Sequence, residues 1–458
     1  MSERLAHETR ERETIDLGAL SPAGSRHSGR RSAVALTDGS IVAGTAAGDV
    51  LAYDRNSLAE RWRVEREDEI KEETDGIASE AAVVSMDSFA DGIAVGERSP
   101  AGEIRLQDAA TGEVRWRYST AEDVGDPQRE TRFFLPFVVS LASRGERLYA
   151  AARRYERGGG SSGSGSGDND GGDGDDPDRS FESCIYAFER DGTLAWRQDT
   201  DASPIALETS EERVAVAFNR CPGDHQQGLV VLDAETGERL GSWDPVMTTT
   251  TTTATTTATT DDSATSSNRR VGDVSLLDDG LVCTSHADYR AYRLDGDCEP
   301  VWSVDLATEK QVGDEILYAY PNHCHATERG AIFLTGNTYP VEGRETDARH
   351  PDEHTAVGYT LEGERRFEES VGGFLTGLGT DGNRLVAPAG QNFRTRDPAT
   401  HGLTLLDVET GRRRAIATEG IASAAALDGR TLAAIEEPVT YHDDGERRGA
   451  YRLHVDSV

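Results

Sequence analysis

The stretch Ile104-Arg105-Leu106-Gln107-Asp108-Ala109-Ala110-Thr111-Gly112-Glu113-Val114-Arg115-Trp116 decides the fold, because its pattern recurs along the chain. It combines a short apolar strand, a turn with an acidic residue and a glycine, and a second strand that carries a tryptophan. All five tryptophans occupy this position, namely Trp62, Trp116, Trp196, Trp243 and Trp302. A repeat of about 40–50 residues is typical of arrays in which each unit packs on the next. We therefore predict one repeat domain.

Two further strands precede most copies of this pattern. The nearer one is a run of small and β-branched residues, such as Gly92 to Gly96, which is typical of a strand buried on both faces. The farther one is a shorter apolar run, such as Ala82 to Ser85 or Phe374 to Leu378. Four antiparallel strands per unit predict one blade of a β-propeller. Two later copies lack the tryptophan and have Phe367 or Arg414 near its position.

The turn glycines have a local explanation. A tight hairpin needs a positive φ angle that glycine adopts at little cost, and the acidic residue that ends the preceding strand can accept hydrogen bonds from turn amides. We assign this structural role to a set of glycines: Gly112, Gly192, Gly237, Gly296, Gly363 and Gly411.

The two ends of the chain complement each other. The last unit ends at Tyr451 to Val455 with no room for a fourth strand, and Glu13 to Leu20 has strand character but no unit of its own. We predict that this N-terminal strand completes the last blade and removes an open sheet edge. The fold prediction is therefore all-β: an eight-bladed β-propeller of four-stranded antiparallel blades over residues 13–458, its ring closed by the N-terminal strand.

Three segments should be disordered. Residues 1–12 are strongly charged, residues 158–180 are rich in Gly, Ser and Asp, and residues 247–269 are mostly Thr. Such segments bury too little apolar surface to offset the entropy of ordering them. The two internal ones fall between predicted strands, so we predict that they are insertions in the propeller.

The charge of the chain limits its partners. Its 83 acidic residues outnumber its 48 basic ones, giving a net charge of −35, and Lys71 and Lys310 are the only lysines. An acidic surface with almost no lysine indicates a protein adapted to concentrated salt, where self-repulsion is screened; an acidic protein from a GC-rich genome is the alternative. Nucleic acid would be repelled, so we predict no nucleic-acid partner.

Cysteine use and the termini point to a cytoplasmic monomer. The five cysteines are scattered and form no Cys-x-x-Cys pair, which favours buried free thiols over a disulfide framework. The N-terminus is too charged for a signal peptide. Arg30-Arg31 and the apolar run after it resemble an export signal only superficially, because the run stops at Thr37. No apolar stretch approaches the ~18 residues of a membrane helix.

The Thr-Gly-Glu-x-x-Trp pattern resembles the repeat of pyrroloquinoline-quinone-type β-propellers. The residues that carry it are Ala109 to Trp116 and Asp233 to Glu238, and the resemblance extends over nearly the whole chain. It implies eight blades and tryptophans that dock each blade on its neighbour. The enzymes of that family also have adjacent cysteines near the cofactor, which this chain lacks, and none of its motifs matches their calcium ligands.

Three clusters of potential ligands or nucleophiles can be read from the sequence. In an extended strand, His323 and His325 of Asn322-His323-Cys324-His325 would point the same way, as two metal ligands would, with His286 or Asp314 as a third. The alternative is an ordinary polar loop. His350-Pro351-Asp352-Glu353-His354 has the composition of a solvated insertion, and Cys221 and His225 share a Pro-Gly turn without a defined geometry.

These observations favour a non-catalytic β-propeller that binds an unknown protein or small-molecule ligand through rim loops or its central channel. The loops near residues 122–133, 218–228, 308–325 and 336–355 are the places where we expect the binding surface. We predict no catalytic residue, no metal site and no cofactor. A quinone-dependent dehydrogenase is the alternative function.

Overall fold

The computed structural model describes residues 12–23, 30–66, 81–127, 129, 133–157, 179–221, 227–245, 270–343, 346–390, 397–441 and 445–458. These residues form β-strands, with one four-residue helix, α1 (Ala121–Val124), and a 3-10 turn at Pro398–Thr400. The segments predicted to be disordered lie outside the described residues, apart from Arg12 and from residues 179–180, which already belong to a strand. In the described part of the chain, no helix is long and apolar enough to cross a membrane.

The strands assemble in chain order into antiparallel sheets of four, as the repeat predicts. The first sheet contains β2 (Ala33–Leu36), β3 (Ser40–Gly44), β4 (Val50–Asp54) and β5 (Glu60–Val64). The second contains β6 (Ala82–Phe89), β7 (Gly92–Arg98), β8 (Glu103–Asp108) and β9 (Val114–Ser119). The third contains β10 (Phe137–Arg144), β11 (Arg147–Arg157), β12 (Arg179–Glu189) and β13 (Leu194–Thr200), and one residue pair, Phe137 with Arg98, joins it to the second.

The fourth sheet contains β14 (Ser203–Thr209), β15 (Arg213–Arg220), β16 (Leu229–Asp233) and β17 (Arg239–Trp243). The fifth contains β18 (Val271–Leu277), β19 (Gly280–Ser285), β20 (Arg290–Asp295) and β21 (Pro300–Asp305). In the sixth, a short edge strand β22 (Lys310–Val312) adds to β23 (Glu315–Thr327), β24 (Gly330–Pro340), β25 (Thr355–Tyr359) and β26 (Arg365–Ser370).

The seventh sheet contains β27 (Gly379–Thr380), β28 (Arg384–Ala389), β29 (Gly402–Asp407) and β30 (Arg413–Ala417). Its first strand corrects the predicted one at 374–378: only Gly379 and Thr380 pair, and Leu375 makes one isolated bridge to Ala389. The segment contains four glycines, at 372, 373, 377 and 379, which weaken a strand because they lose more backbone entropy on ordering.

The last sheet joins both ends of the chain. It contains β31 (Ile421–Asp428), β32 (Thr431–Glu437), β35 (Tyr451–Ser457) and β1 (Glu13–Gly18). In the sequence, a separate two-stranded ribbon of β33 (Val439–Thr440) and β34 (Arg447–Arg448) comes between β32 and β35. Strand β1 pairs antiparallel with β35, from Glu13 opposite Val455 to Gly18 opposite Tyr451. Its Ile15 and Leu17 pack with Ile41 and Leu51 of the first sheet.

The hydrophobic core lies between the sheets. Each of eight apolar clusters contains buried residues of two neighbouring sheets, which agrees with strands buried on both faces. Representative pairs are Val42 and Val95, Leu106 and Tyr186, Ala187 and Val216, Val231 and Leu294, Val282 and Phe333, Leu334 and Leu385, Val386 and Leu432, and Ile435 and Ile41. The first strands of most neighbouring sheets also contact one another, and β31 of the last sheet contacts β2 of the first.

The tryptophans join one sheet to the turn of the next. The indole N–H of Trp196 donates to the carbonyl oxygen of Ala234 at 3.1 Å, and a Cβ on Gly237 would lie 2.6 Å from the same ring. Trp62, Trp116 and Trp302 make the equivalent hydrogen bond to Ala109, Arg190 and Leu361, and pack on Gly112, Gly192 and Gly363. Glycine is therefore needed for two reasons, its positive φ and the space that the indole occupies.

Three interfaces between neighbouring sheets differ from this pattern, and other side chains make the contacts there. In the fifth sheet the positive φ lies at Cys298, at 64°, and not at Gly296 as predicted. The Trp243 ring packs there against the Tyr292 ring, with centroids 4.6 Å apart and an interplanar angle of 57°. In the first sheet Leu58, with φ 56°, takes the place of the glycine and packs in the cluster of Ile15 and Leu17. Arg414, near the tryptophan position, instead forms an ion pair with Asp456 of β35 at 3.2 Å.

Candidate functional site

The histidines weighed as candidate metal ligands connect neighbouring sheets. His323 and His325 lie on β23 and their Nε2 atoms approach the carbonyl oxygens of Leu375 at 3.3 Å and Gly382 at 3.0 Å. Burial lowers the pKa of His325, which favours its neutral form. His286 lies against Tyr320, with ring centroids 4.8 Å apart. Within the described ranges, no group of three or more His, Cys, Asp or Glu side chains could hold a metal ion.

The second histidine cluster belongs to a packed loop, which corrects its interpretation as a solvated insertion. His350 is 1% exposed, its Nε2 lies 2.9 Å from the carbonyl oxygen of Thr308, and its Nδ1 accepts a hydrogen bond from the Asp352 amide. His354 approaches Asn337 Oδ1 at 2.8 Å. The composition did not indicate this packing, because the partners Thr308 and Asn337 lie outside the cluster in the sequence.

The cysteines are buried free thiols, as predicted. Burial raises the pKa of Cys184 to about 12 and the pKa values of Cys283 and Cys324 well above their ordinary range, which makes these thiols poor nucleophiles. Cys221 lies 3.6 Å from the carbonyl oxygen of Gln227, and its suggested partner His225 lies outside the described residues.

Carboxylates on the first strands bind backbone amides of the next sheet. Asp87 accepts from the Ser143 amide at 2.6 Å, Glu208 from the Leu276 amide at 2.6 Å, and Asp273 from the Cys324 amide at 3.0 Å. These contacts add directional links to the apolar packing between sheets. Nothing in the periodicity of the sequence indicated them, because each spans more than 50 residues.

We expect Glu208→Gln to flatten the pH dependence of stability between about pH 4.5 and 7. Burial raises the pKa of Glu208 from its ordinary 4.5 to about 7. The folded protein therefore keeps a proton that the unfolded chain has released, so the contribution of this group is complete below pH 4.5 and is lost as the pH rises through 7. Between pH 5 and pH 8, the free energy of unfolding of the variant should rise by about 2 kcal/mol relative to that of wild type, as measured by urea unfolding.

Glu211→Gln is the matched control, because Glu211 lies in the same sheet region with its side chain 83% exposed. If both variants respond to pH in the same way, the carboxyl of Glu208 is not the titrating group.

The sixth sheet carries an extended hairpin, as the third sheet does where β11 and β12 pair beyond β10 and β13. β24 pairs with β25 only through Ala331 to Leu334, and residues 335–340 continue beyond it, paired with the first part of β23. On the other side, β22 pairs with residues 315–317 of β23. The predicted loop at 308–325 is therefore largely strand, and residues 336–340 of the predicted loop at 336–355 also belong to the hairpin, whereas the described residues from 341 to 354 lie outside the strands.

One face of the extended hairpin is covered by tyrosines, and we call it the tyrosine face. Side chains alternate along a strand, so Ile316, Tyr318 and Tyr320 share a face with their cross-strand neighbours on β24. The face also includes Tyr289, which approaches from the fifth sheet with its ring centroid 4.2 Å from that of Tyr318. The complete set is Tyr289, Ile316, Tyr318, Tyr320, Tyr339 and Val341.

The tyrosine face combines tight packing with access to solvent. Tyr318 is 7% exposed and contacts the other three tyrosines, with centroid distances from 4.2 to 6.0 Å. Tyr289, Tyr320 and Tyr339 are half-buried, and Ile316 and Val341 are each 44% exposed. Rings that support one another in this way form a rigid apolar surface with polar hydroxyls, a combination enriched at interfaces.

Tyr289 is held in an unusual backbone conformation. Its φ of 62° lies in the left-handed region, which costs a non-glycine residue on the order of 1 kcal/mol. Its carbonyl oxygen accepts hydrogen bonds from the amides of Leu306 at 3.4 Å and Ala307 at 3.2 Å, which keep the residue in place. Strain of this kind accumulates at functional positions.

Comparison with known proteins supports the fold. A family model described as PQQ_2, outer membrane protein assembly factor BamB, matches residues 24–157. No curated protein sequence matches the chain. Similar solved structures include quinohemoprotein alcohol dehydrogenase from Comamonas testosteroni, at 10% identity over 94% of this chain and 75% of that chain with a TM-score of 0.52.

Two further structures are similar over most of their length. The computationally designed Ika8 protein is 12% identical over 94% of this chain and 98% of that chain, with a TM-score of 0.50. BamB from Moraxella catarrhalis is 15% identical over 78% of this chain and 79% of that chain, with a TM-score of 0.42. At these identities the likeness concerns the fold, a β-propeller with PQQ-like repeats, and carries no activity to this chain.

Proposed function

We propose that this chain is a non-catalytic binding protein built as a ring of eight four-stranded blades, and that it binds a protein partner through the tyrosine face. The eight apolar clusters support the ring, because each connects one sheet to the next and the last connects Ile435 to Ile41 of the first. The pairing of β1 with β35 supports closure by the N-terminal strand, which leaves the last sheet with four strands like the others.

The observation that carries the binding function is the exposed tyrosine face on a hairpin longer than its blade requires. Half-buried tyrosines lose little conformational entropy when they are covered, since two χ angles define the side chain and neighbouring rings already restrict them. Tyrosine is also among the residues that dominate interface energies. Ile316 and Val341 extend the apolar surface to the end of the hairpin.

The shape of the surface favours a protein over a small molecule. Sites for small ligands are concave and enclose most of the ligand, whereas these rings pack directly against one another, with centroids 4.2 to 6.0 Å apart. The charge of the chain, −35, favours a partner segment with arginine or lysine side chains. Such side chains can also lie over the tyrosine rings.

The proposal predicts that Ile316→Lys with Val341→Lys removes partner binding without unfolding the protein. Both side chains are 44% exposed, so a charged head can reach water in the free protein, while in the complex it would be buried against a cationic partner. We expect the dissociation constant of the purified partner, recovered by affinity capture from native extract and measured by calorimetry, to rise more than 10-fold.

Leu240→Lys is the matched control, since Leu240 is 57% exposed on β17 and lies outside the face. Hydrogen exchange should show protection of residues 315–320 and 338–341 in the complex. A partner that protects other segments and binds the double variant as tightly as wild type would contradict the proposal.

A further inference from the structure

A polar cavity lies at the edge of the third sheet, apart from the tyrosine face. Strand β13 ends at Thr200, opposite Ser183, whereas β12 also includes residues 179–182, which have no neighbour on the β13 side. The chain leaves the sheet there through Asp201 toward β14, and α1 contacts β12. The cavity has a volume of about 380 Å³, which is the size of a site for a small ligand.

Four carboxylates line this cavity, namely Asp123 of α1, Glu182 of β12, Asp199 of β13 and Asp201. Two of them share one cation, because Arg197 forms ion pairs with both Asp123 and Asp199, the second at 3.1 Å. One arginine therefore serves two carboxylates, and this side of the cavity keeps a negative charge.

The other two carboxylates have no partner of their own. Glu182 and Asp201 are both exposed, and neither has a hydrogen bond or an ion pair with any described residue. Arg154, which lies opposite Glu182 on β11, forms an ion pair with Glu156 instead. Glu182 and Asp201 can therefore accept hydrogen bonds from a cation that enters the cavity without giving up an existing contact.

A buried hydroxyl in the same lining also has no partner. Ser183 is 3% exposed, and its Oγ makes no hydrogen bond with the described residues. Because Ser183 lies directly opposite Thr200, the two side chains share a face of the sheet, and both residues line the cavity. A buried hydroxyl without a partner costs free energy, and a ligand that donates a hydrogen bond to Ser183 would remove that cost.

We propose that this cavity binds a short aliphatic polyamine, with one ammonium group held by Glu182, Asp201 and the hydroxyl of Ser183. An alkylammonium group has three N–H donors, which matches two carboxylates and one hydroxyl oxygen. A second ammonium group on the same chain would be attracted to Asp123 and Asp199, which share a single arginine. The site lies on a different sheet from the tyrosine face, so it does not depend on the function proposed above.

The lining suits a polyamine better than a metal ion or a basic protein. A metal ion needs several ligands around one point, and in the part of the chain that the structure describes no three His, Cys, Asp or Glu side chains are arranged in this way. Carboxylates spread along a cavity wall can instead be reached by separate charges on a flexible chain. A cavity of this volume is too small for the surface of a protein partner.

Calorimetric titration of the full chain with 1,4-diaminobutane at near-physiological salt tests the site. We expect saturable binding of one ligand per chain. Butylamine, which has the same carbon chain and a single ammonium group, should bind more weakly. Glu182→Gln combined with Asp201→Asn should weaken the binding of diaminobutane at least about 10-fold, since each substitution removes a charge-assisted hydrogen bond.

The matched control is Glu113→Gln combined with Glu238→Gln, which removes two exposed carboxylates from equivalent turns of the second and fourth sheets. It separates local contacts from the general attraction between cations and a chain of net charge −35. Equal weakening in the two double variants, equal binding of butylamine, or displacement of diaminobutane by an equal concentration of Mg²⁺ would each overturn the proposal.

Ser183→Ala separates binding from folding. Because the hydroxyl of Ser183 has no partner, its removal should leave the melting temperature unchanged or raise it, while the binding of diaminobutane becomes several-fold weaker. Ile316→Lys with Val341→Lys changes only the tyrosine face and should leave this binding intact, so either site can fail without the other. A Ser183→Ala protein that binds diaminobutane as tightly as wild type would overturn the proposed position of the ammonium group.

Discussion

Trp196→Ala is expected to lower the free energy of unfolding by about 3–5 kcal/mol, the usual cost of removing a buried large aromatic side chain. Trp196 is 8% exposed and lies between the third and fourth sheets, in a cluster with Tyr149, Val214 and Val216. The substitution leaves a cavity and removes the indole hydrogen bond to the carbonyl oxygen of Ala234, which keeps Tyr149 and Arg147 as donors. Urea unfolding monitored by circular dichroism measures the loss.

Trp196→Phe is the control for this experiment, because it keeps a ring in the space and removes only the hydrogen bond and part of the volume. We expect it to cost less than half as much as the alanine variant. A cost below about 1 kcal/mol for Trp196→Ala would mean that the indole does not hold the two sheets together.

Gly237→Ala tests the same contact from the other side. A Cβ at this position would lie 2.6 Å from Trp196, and the φ of 72° adds backbone strain. Gly145→Ala carries a similar φ of 58° but meets no atom within 4 Å, so the difference between the two variants isolates the steric term. In the double variant Trp196→Ala with Gly237→Ala this term should vanish, so the two costs should not add.

The repeat and its tryptophans were readable from the sequence because local chemistry determines them. A strand buried on both faces needs an unbroken apolar run, and a tight turn needs a glycine and an acidic cap, as at Asp108, whose pKa Arg115 and the turn amides lower to about 2. These requirements recur in most units, so one copy supports the interpretation of the others.

The departures from the repeat could not be read in the same way, because their causes lie in a neighbouring unit. Leu58 replaces the turn glycine where β1, which has no tryptophan, packs against it. Cys298 carries the positive φ two residues after Gly296. In both turns a residue other than glycine adopts the positive φ, and the sequence of the turn alone does not explain why.

Part of the tyrosine face lies in the segments 308–325 and 336–355, where we expected a binding surface, but its composition was not predicted. The alternation of Ile316, Tyr318 and Tyr320 indicates one face of a strand. Tyr289 and Tyr339 reach the same surface from strands that are distant in sequence. For His323 and His325, the sequence indicated correctly that both side chains point the same way. It did not indicate their partners, which are carbonyl groups of the next sheet.

Removing residues 1–18 is expected to destabilise the whole protein. The deletion uncovers the edge of β35 and removes Ile15 and Leu17 from a cluster that also contains Ile41 and Leu51 of the first sheet. Burial of Leu17 and partial burial of Ile15 contribute about 2–4 kcal/mol, and the lost ladder of hydrogen bonds adds to this. Calorimetry should show a large fall in the melting temperature.

The matched control removes residues 1–11 and keeps β1, so we expect its melting temperature to be unchanged. A synthetic peptide spanning residues 12–20 should restore stability to the longer deletion when added in trans, since a free strand edge accepts an added strand. Without the peptide, the exposed edge should also promote association, which size-exclusion chromatography detects. Equal melting temperatures of the two truncated proteins would contradict the proposal that β1 closes the ring. The last sheet would then be as stable with three strands as with four.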